Sequence, residues 1–303
     1  GLYNFGNAVL SAAGDTKRPL YYLAFAGVVN VILNLFFVIV CHLGVAGVAL
    51  ASMISQFISA FLILRALLTG KEKYCLRLSE IRFDKRKAVG ILQIGIPSAF
   101  QYSLFAFANL FVQSSVNSFD HVLVEGNSAA ANADPLVYDM MAAFYTACSS
   151  FIAQNFGARK KKRILQTYLI CLFYSFITSL VLGVGIYLAR YPFLYLFTSD
   201  KAVVEAGITR LSIMALSYSA SAFMDASIAA SRGLGKTAVP TFVVVMGSCV
   251  FRIIWIYTIF AYFHTIQSLY ILYVFSWGIT AIAENIYFFH VYRHTLTEKK
   301  ELC

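Results

Sequence analysis

The chain has 303 residues, 60% of them hydrophobic and only 13% charged, where a soluble globular chain carries roughly 25% charged residues. That balance excludes a pair of ordinary soluble domains, which length alone would suggest. The net charge of +10 would suit nucleic acid only as a basic surface, and here the basic residues lie in short segments between long uncharged runs.

In chain order, residues 1–13 read as the tail of a helix, followed by "GDTKRP" at 14–19. Leu20 to His42 and Val45 to Leu64 are uncharged. Each is about as long as a bilayer-spanning helix, which needs roughly 20 residues. After a charged stretch come three more uncharged runs: Ile91 to Phe119, Met140 to Ala158 and Ile164 to Ala189. The segments 208–231 (Arg210, Asp225), 239–262 (Arg252) and 267–292 (Glu284) carry only isolated charges. The reading is therefore an all-α polytopic membrane protein with eight complete spans and part of a ninth. Runs this long and continuous exclude a β-barrel, whose strands are short and alternating.

If successive loops alternate sides, one side holds residues 14–19, 65–90, 157–163, 232–238 and the tail, with 20 of the 24 Lys and Arg. Basic residues concentrate in cytoplasmic loops. The expected location is thus a multi-pass plasma membrane protein with its C-terminus in the cytoplasm. The basic excess is topological, and no nucleic-acid partner is expected. The six cysteines form no CxxC pair; within spans a free Cys acts as a small apolar residue, so neither a disulfide nor a metal site is expected.

"GKTAVP" at 235–240 repeats the Gly-x-Thr-x-x-Pro pattern of "GDTKRP" 221 positions on. The same shift pairs Ala8 with Ala229, Val29 with Val250, Ile32 with Ile253 and Asn4 with Asp225. The turn reads as a glycine ending one helix, a threonine capping the next and a proline near the new helix start. Transporters are commonly built from such internal repeats. Residues 91–221, ahead of the second copy, have no counterpart ahead of the first, so about 130 residues are expected upstream if the halves are equal.

"LSAAGDTKRPLYYLAFAGVVNVILNLFFVI", "GVAGVALASMISQ", "GIPSAFQYSLFAFANLFVQSSVNSF", "SSFIAQNFGARKKKR" and "MDASIAASRGLGKTAVP" resemble successive helices of bacterial multidrug and toxic compound extrusion (MATE) transporters. The resemblance implies a two-lobe bundle with the last eight or nine of twelve transmembrane helices present and a central cavity. On it, residues 1–69 are the end of the N-terminal lobe (helices 4–6), 70–90 a cytoplasmic inter-lobe linker, 91–292 the C-terminal lobe (helices 7–12) and 293–303 a cytoplasmic tail. It also implies a bacterial inner-membrane antiporter, not an enzyme, without cofactor and monomeric. Such an antiporter exports drugs or toxic organic compounds, often cations, in exchange for H⁺ or Na⁺. A first-helix acidic site of many members would lie outside this sequence.

Ionisable residues within a membrane are costly and commonly functional. Asp225 shares a helix face with Tyr218 and Ser221. It lies about 9 Å from the cytoplasmic helix end at 1.5 Å per residue, where a carboxyl could take up a proton or a cation. Arg252 and Glu284 are expected as a structural ion pair between the last two helices, or else Glu284 joins Asp225 in ion coupling. A polar stripe holds Ser98, Gln101, Asn109, Gln113 and Asn117; a second holds Asn132, Asp139, Thr146, Ser150 and Gln154. Asn30 and Asn34 share a face, and Asn4 is the repeat mate of Asp225. From these sets Asn4, Asn30, Asn34, Gln101, Asn109, Asn132, Asp139, Tyr218 and Ser221 are candidates for a cavity lining, with interhelical hydrogen bonding as the competing role. The aromatic content of 16% would suit cation-π contact with an organic cation.

"GLGKT" lacks the first glycine of a phosphate-binding loop, since Ala230 stands there. His290 and His294 have no evident third metal ligand. Beside the antiporter stands a lipid-linked oligosaccharide flippase of the same superfamily. It would need a basic cavity, and only Arg252 is evident mid-membrane.

Overall fold

The computed structural model describes residues 1–69 and 75–294. Most of the expected tail, including Cys303, and residues 70–74 of the expected linker lie outside the described residues. Eight helices are long and apolar enough to cross a membrane. In chain order the elements are α1 (Leu2–Ala12), α2 (Lys17–Val40), α3 (Gly44–Thr69), α4 (Lys85–Val116), α5 (His121–Ala131), α6 (Ala133–Gly157), α7 (Lys161–Leu188), α8 (Arg190–Tyr195), α9 (Lys201–Gly233), α10 (Ala238–Phe263) and α11 (Ile266–His294). No strand occurs among the described residues. Large apolar side chains such as Phe57, Phe61, Phe107, Leu110 and Phe173 are exposed, as lipid-facing positions of a membrane bundle are. The protein is a multi-pass membrane protein.

The chain divides into two compact units, residues 1–84 and 85–303. In the first, α1 and α2 pack on α3. Tyr3 and Leu10 meet Ile63 and Leu67 in a small apolar core, and the Tyr3 hydroxyl donates to the Pro19 carbonyl at 2.9 Å. In the second, α9 is the central helix: α5, α6, α7 and α11 all pack against it. Its buried face is largely alanine and serine, including Ser217, Ala222, Ala226, Ser227, Ala229, Ala230 and Ser231. Small side chains let helix backbones approach closely where no hydrophobic effect drives helix association. At Gly126 of α5 an added Cβ would lie 2.6 Å from Ala206 Cβ and 2.8 Å from the Val203 carbonyl oxygen. Gly126→Val should therefore push α5 off α9 and cost about 1–3 kcal/mol. A melt of the purified protein in detergent checks this; an unchanged midpoint would show that this close approach does not matter.

The repeated turn has the same backbone hydrogen bonds in both units. Gly14 and Gly235 have φ of +91° and +77°, the left-handed conformation that glycine adopts without a Cβ penalty. Gly14 N–H donates to Ser11 and Asp15 N–H to Leu10; Gly235 N–H donates to Arg232 and Lys236 N–H to Ser231. Both are Schellman caps. Thr16 and Thr237 occupy the following N-cap positions, but neither side chain makes the capping bond. At the first turn Asp15 accepts instead, from the Arg18 N–H at 3.2 Å, because Asp15 stands where Lys236 stands in the second copy.

The likeness continues into the helices. The helix after each turn carries a π-helical segment near its end, Phe36–Val40 in α2 and Ile256–Phe260 in α10. Asn30 Nδ2 donates to Ser55 Oγ at 3.3 Å in the first unit, and Arg252 Nε to Ser276 Oγ at 3.3 Å in the second. The serines stand 221 positions apart and the donors 222. The π-helical segment Val245–Val250 in α10 explains the offset, because a π-bulge inserts one residue. It brings an arginine to the place an asparagine holds in the other unit.

Candidate functional site

Within the second unit α4, α5, α6, α9, α10 and α11 enclose a cavity of about 550 Å³, inside the range of about 300–1,000 Å³ typical of small-molecule sites. Its wall is mostly apolar and aromatic, with Phe105, Tyr138, Tyr145, Tyr273 and Trp277 among its residues. Five ionisable groups with a formal charge at neutral pH line it: Asp134, Arg210, Asp225, Arg232 and Arg252.

The three arginines differ in what surrounds them. Arg210, on α9, donates from Nη1 to Asn127 Oδ1 at 2.6 Å and from Nη2 to Asp134 Oδ2 at 2.5 Å. The other Asp134 oxygen accepts from the Tyr218 hydroxyl at 2.5 Å. This cluster joins α5, α6 and α9 and closes the charge of Arg210 on a carboxylate. Arg232, at the other end of α9, donates to the Tyr145 hydroxyl at 2.6 Å and to Gln101 Oε1 at 2.8 Å. Asp225 lines the cavity seven residues back on the same helix.

Arg252, on α10, is 0% exposed. It donates from Nη1 to Asn109 Oδ1 at 2.8 Å and from Nε to Ser276. Its guanidinium lies between the rings of Phe105 and Tyr273, 4.7 and 4.6 Å from their centroids. Its Nη2 has no hydrogen-bond partner, and among the described residues no carboxylate reaches it within 4.0 Å.

The expected ion pair between Arg252 and Glu284 is therefore not formed. Arg252 meets α11 at Ser276, and Glu284 lies eight residues further along that helix, about 12 Å at 1.5 Å per residue. Glu284 is 0% exposed, both its carboxyl oxygens lack a partner among the described residues, and it does not line the cavity.

The other expected residues fall into four groups. Gln101, Asn109, Gln113 and Asp225 line the cavity. Tyr218 and Ser221 are buried behind its wall, with Ser221 donating to the Tyr218 carbonyl at 2.8 Å. Asp139 and Asn132 are exposed and do not line it; Asn132 donates to the Ser128 and Ala129 carbonyls at the α5–α6 junction. Asn4, Asn30 and Asn34 belong to the first unit, where Asn4 is exposed and Asn34 Nδ2 donates to Asn30 Oδ1 at 3.0 Å. The residues missed were Asp134, Asn127, Arg210 and Arg232. Part of the signal was present, since an arginine inside a span needs a partner, but no spacing pointed to Asp134. Several rings around the cavity meet the protein's own guanidinium groups: Phe105 and Tyr273 face Arg252, Tyr270 faces Arg210 and Tyr145 faces Arg232.

Fold and site together define a polytopic helical membrane protein with a charged small-molecule cavity inside one unit. The chain belongs to the MatE family, whose model matches residues 97–258. It is 33% identical over 163 residues to the probable multidrug resistance protein YpnP of Bacillus subtilis, covering 54% of this chain and 36% of that protein. It is 24% identical over 243 residues to the probable multidrug resistance protein NorM of Thermotoga maritima, covering 77% and 51%. The chain thus spans between about a third and a half of these two relatives. A solved transporter of the MOP superfamily from Pyrococcus furiosus, described as having a binding pocket of reverse polarity that suggests a different function, superposes with a TM-score of 0.90. It is 20% identical, and the match covers 97% of this chain and 66% of that one.

Proposed function

We propose that the chain is part of a secondary-active exporter of small organic compounds, working by exchange for H⁺ or Na⁺, and is not an enzyme. The observation that carries this reading is the Asp225 carboxylate: it lines the cavity, half-buried, without a hydrogen bond or ion pair among the described residues, in a chain similar to two probable multidrug resistance proteins. A carboxylate so placed can exchange a proton or sodium ion for cargo, because loading it changes the cavity's charge. The bacterial relatives support a bacterial plasma membrane location, and the distribution of basic loops supports a cytoplasmic C-terminus. A monomer is the simplest state consistent with a cavity built inside a single unit.

The expected result is measurable in cells expressing the full-length protein. They should retain less of a fluorescent dye than control cells, and collapse of the ion gradients should restore retention. Asp225→Asn, matched for membrane expression, should lose most of the effect. Export that persists in Asp225→Asn at the wild-type rate would move coupling to another carboxyl.

A second reading has one observation in its favour. The lipid-linked oligosaccharide flippase needs a basic cavity, and three arginines against two aspartates line this one.

A further inference from the structure

We infer that this cavity takes a planar aromatic anion, held by the charge of Arg252, rather than an organic cation. The inference deepens the exporter reading and rests on it, but it concerns only what the cavity selects.

The argument is one of charge and satisfaction. Arg210 is closed on Asp134, and Arg232 stands seven residues, about two turns, from Asp225 on the same face of α9, both lining the cavity. Arg252 has neither arrangement. Its acceptors, Asn109 and Ser276, are neutral, its facing groups are two aromatic rings, and Nη2 is a buried donor with nothing to donate to. A buried charge without a counter-charge is costly, and a low-dielectric wall carries its field into the cavity with little screening. A cation entering would be repelled by that field; an anion would supply the missing counter-charge.

Arg252 has no exposed surface in this conformation. A direct contact with Nη2 therefore requires the Phe105 or Tyr273 ring to turn aside, after which the ring edge and the anion would share the guanidinium.

Size and wall chemistry choose among anions. A cavity of about 550 Å³ suits a drug-sized molecule. Tyr138, half-buried and backed edge-to-face by the buried Trp277 at 6.1 Å, offers ring surface that no arginine covers among the described contacts. That surface suits a flat aromatic body.

The test uses the purified full-length protein in detergent and two dyes, fluorescein as the anion and a cationic rhodamine ester on the same tricyclic frame. Fluorescence anisotropy gives both dissociation constants, and their ratio cancels any loss of folded protein. Fluorescein should bind about tenfold to a hundredfold more tightly, the worth of one charge-assisted contact. Arg252→Gln should bring the ratio close to one. So should Asn109→Asp, which keeps the arginine and gives it the carboxylate it lacks, so charge is separated from packing. Equal or tighter rhodamine binding in the wild type would overturn the inference, as would a ratio unchanged in both variants. If undecaprenyl pyrophosphate binds in an Arg252-dependent way and fluorescein does not, the charge serves a lipid-linked anion and the aromatic anion is wrong. The exporter reading fails separately, on the cell experiment, if no dye of either sign is exported.

Discussion

Asp134→Ala should be the most destabilising single change in the cavity wall, costing about 3 kcal/mol and lowering the detergent melting midpoint by roughly 6–12 °C. The reason lies in what remains. Arg210 is 7% exposed, and its Nη2 and the Tyr218 hydroxyl both end on Asp134. Without the carboxylate the guanidinium stays buried with only Asn127 as a partner, and the tyrosine loses its acceptor. Breaking a buried pair from one side is far worse than replacing both members. Arg210→Met added to Asp134→Ala should therefore recover most of the lost midpoint. Asp139→Ala, five positions on but exposed, should leave it unchanged. A single Asp134→Ala variant that melts with the wild type would show that the cluster is not structural.

The same cluster shows where sequence reading stops. The spans were legible because an apolar run of some twenty residues has few other readings, and the repeated Gly-x-Thr-x-x-Pro marked turns that share a Schellman cap. The Asp134–Arg210 link was not legible. The two residues are 76 positions apart, and the uncharged run that marks the sixth helix begins only at Met140. In the fold α6 begins at Ala133, directly after α5, and turns Asp134, Tyr138 and Tyr145 into the cavity. That face differs from the stripe through Asn132, Asp139 and Thr146. Spacing within one helix fixes which residues share a face, but not which face meets the cavity. The Arg252–Glu284 pairing failed for a related reason: two opposite charges on adjacent helices pair only at the same depth.

Glu284→Gln should leave the fold intact and abolish ion-driven export. The carboxyl is 0% exposed with both oxygens unpartnered, so no ion pair or hydrogen bond is lost when a neutral amide of the same shape replaces it. The melting midpoint should stay within about 2 °C of the wild type, or rise, since surroundings that satisfy neither oxygen gain nothing from a charge there. Transport is a different matter if Glu284 shares ion binding with Asp225, because an amide cannot cycle between loaded and empty states. Full-length protein in proteoliposomes, given a pH gradient or a sodium gradient separately, tells the two ions apart: the gradient that drives wild-type dye transport is the one whose effect Glu284→Gln should remove. Loss of transport together with a lowered midpoint would mean that Glu284 is structural. Normal gradient-driven transport in Glu284→Gln would leave Asp225 as the coupling carboxyl of this unit, and the unpartnered oxygens of Glu284 without a role in the cycle.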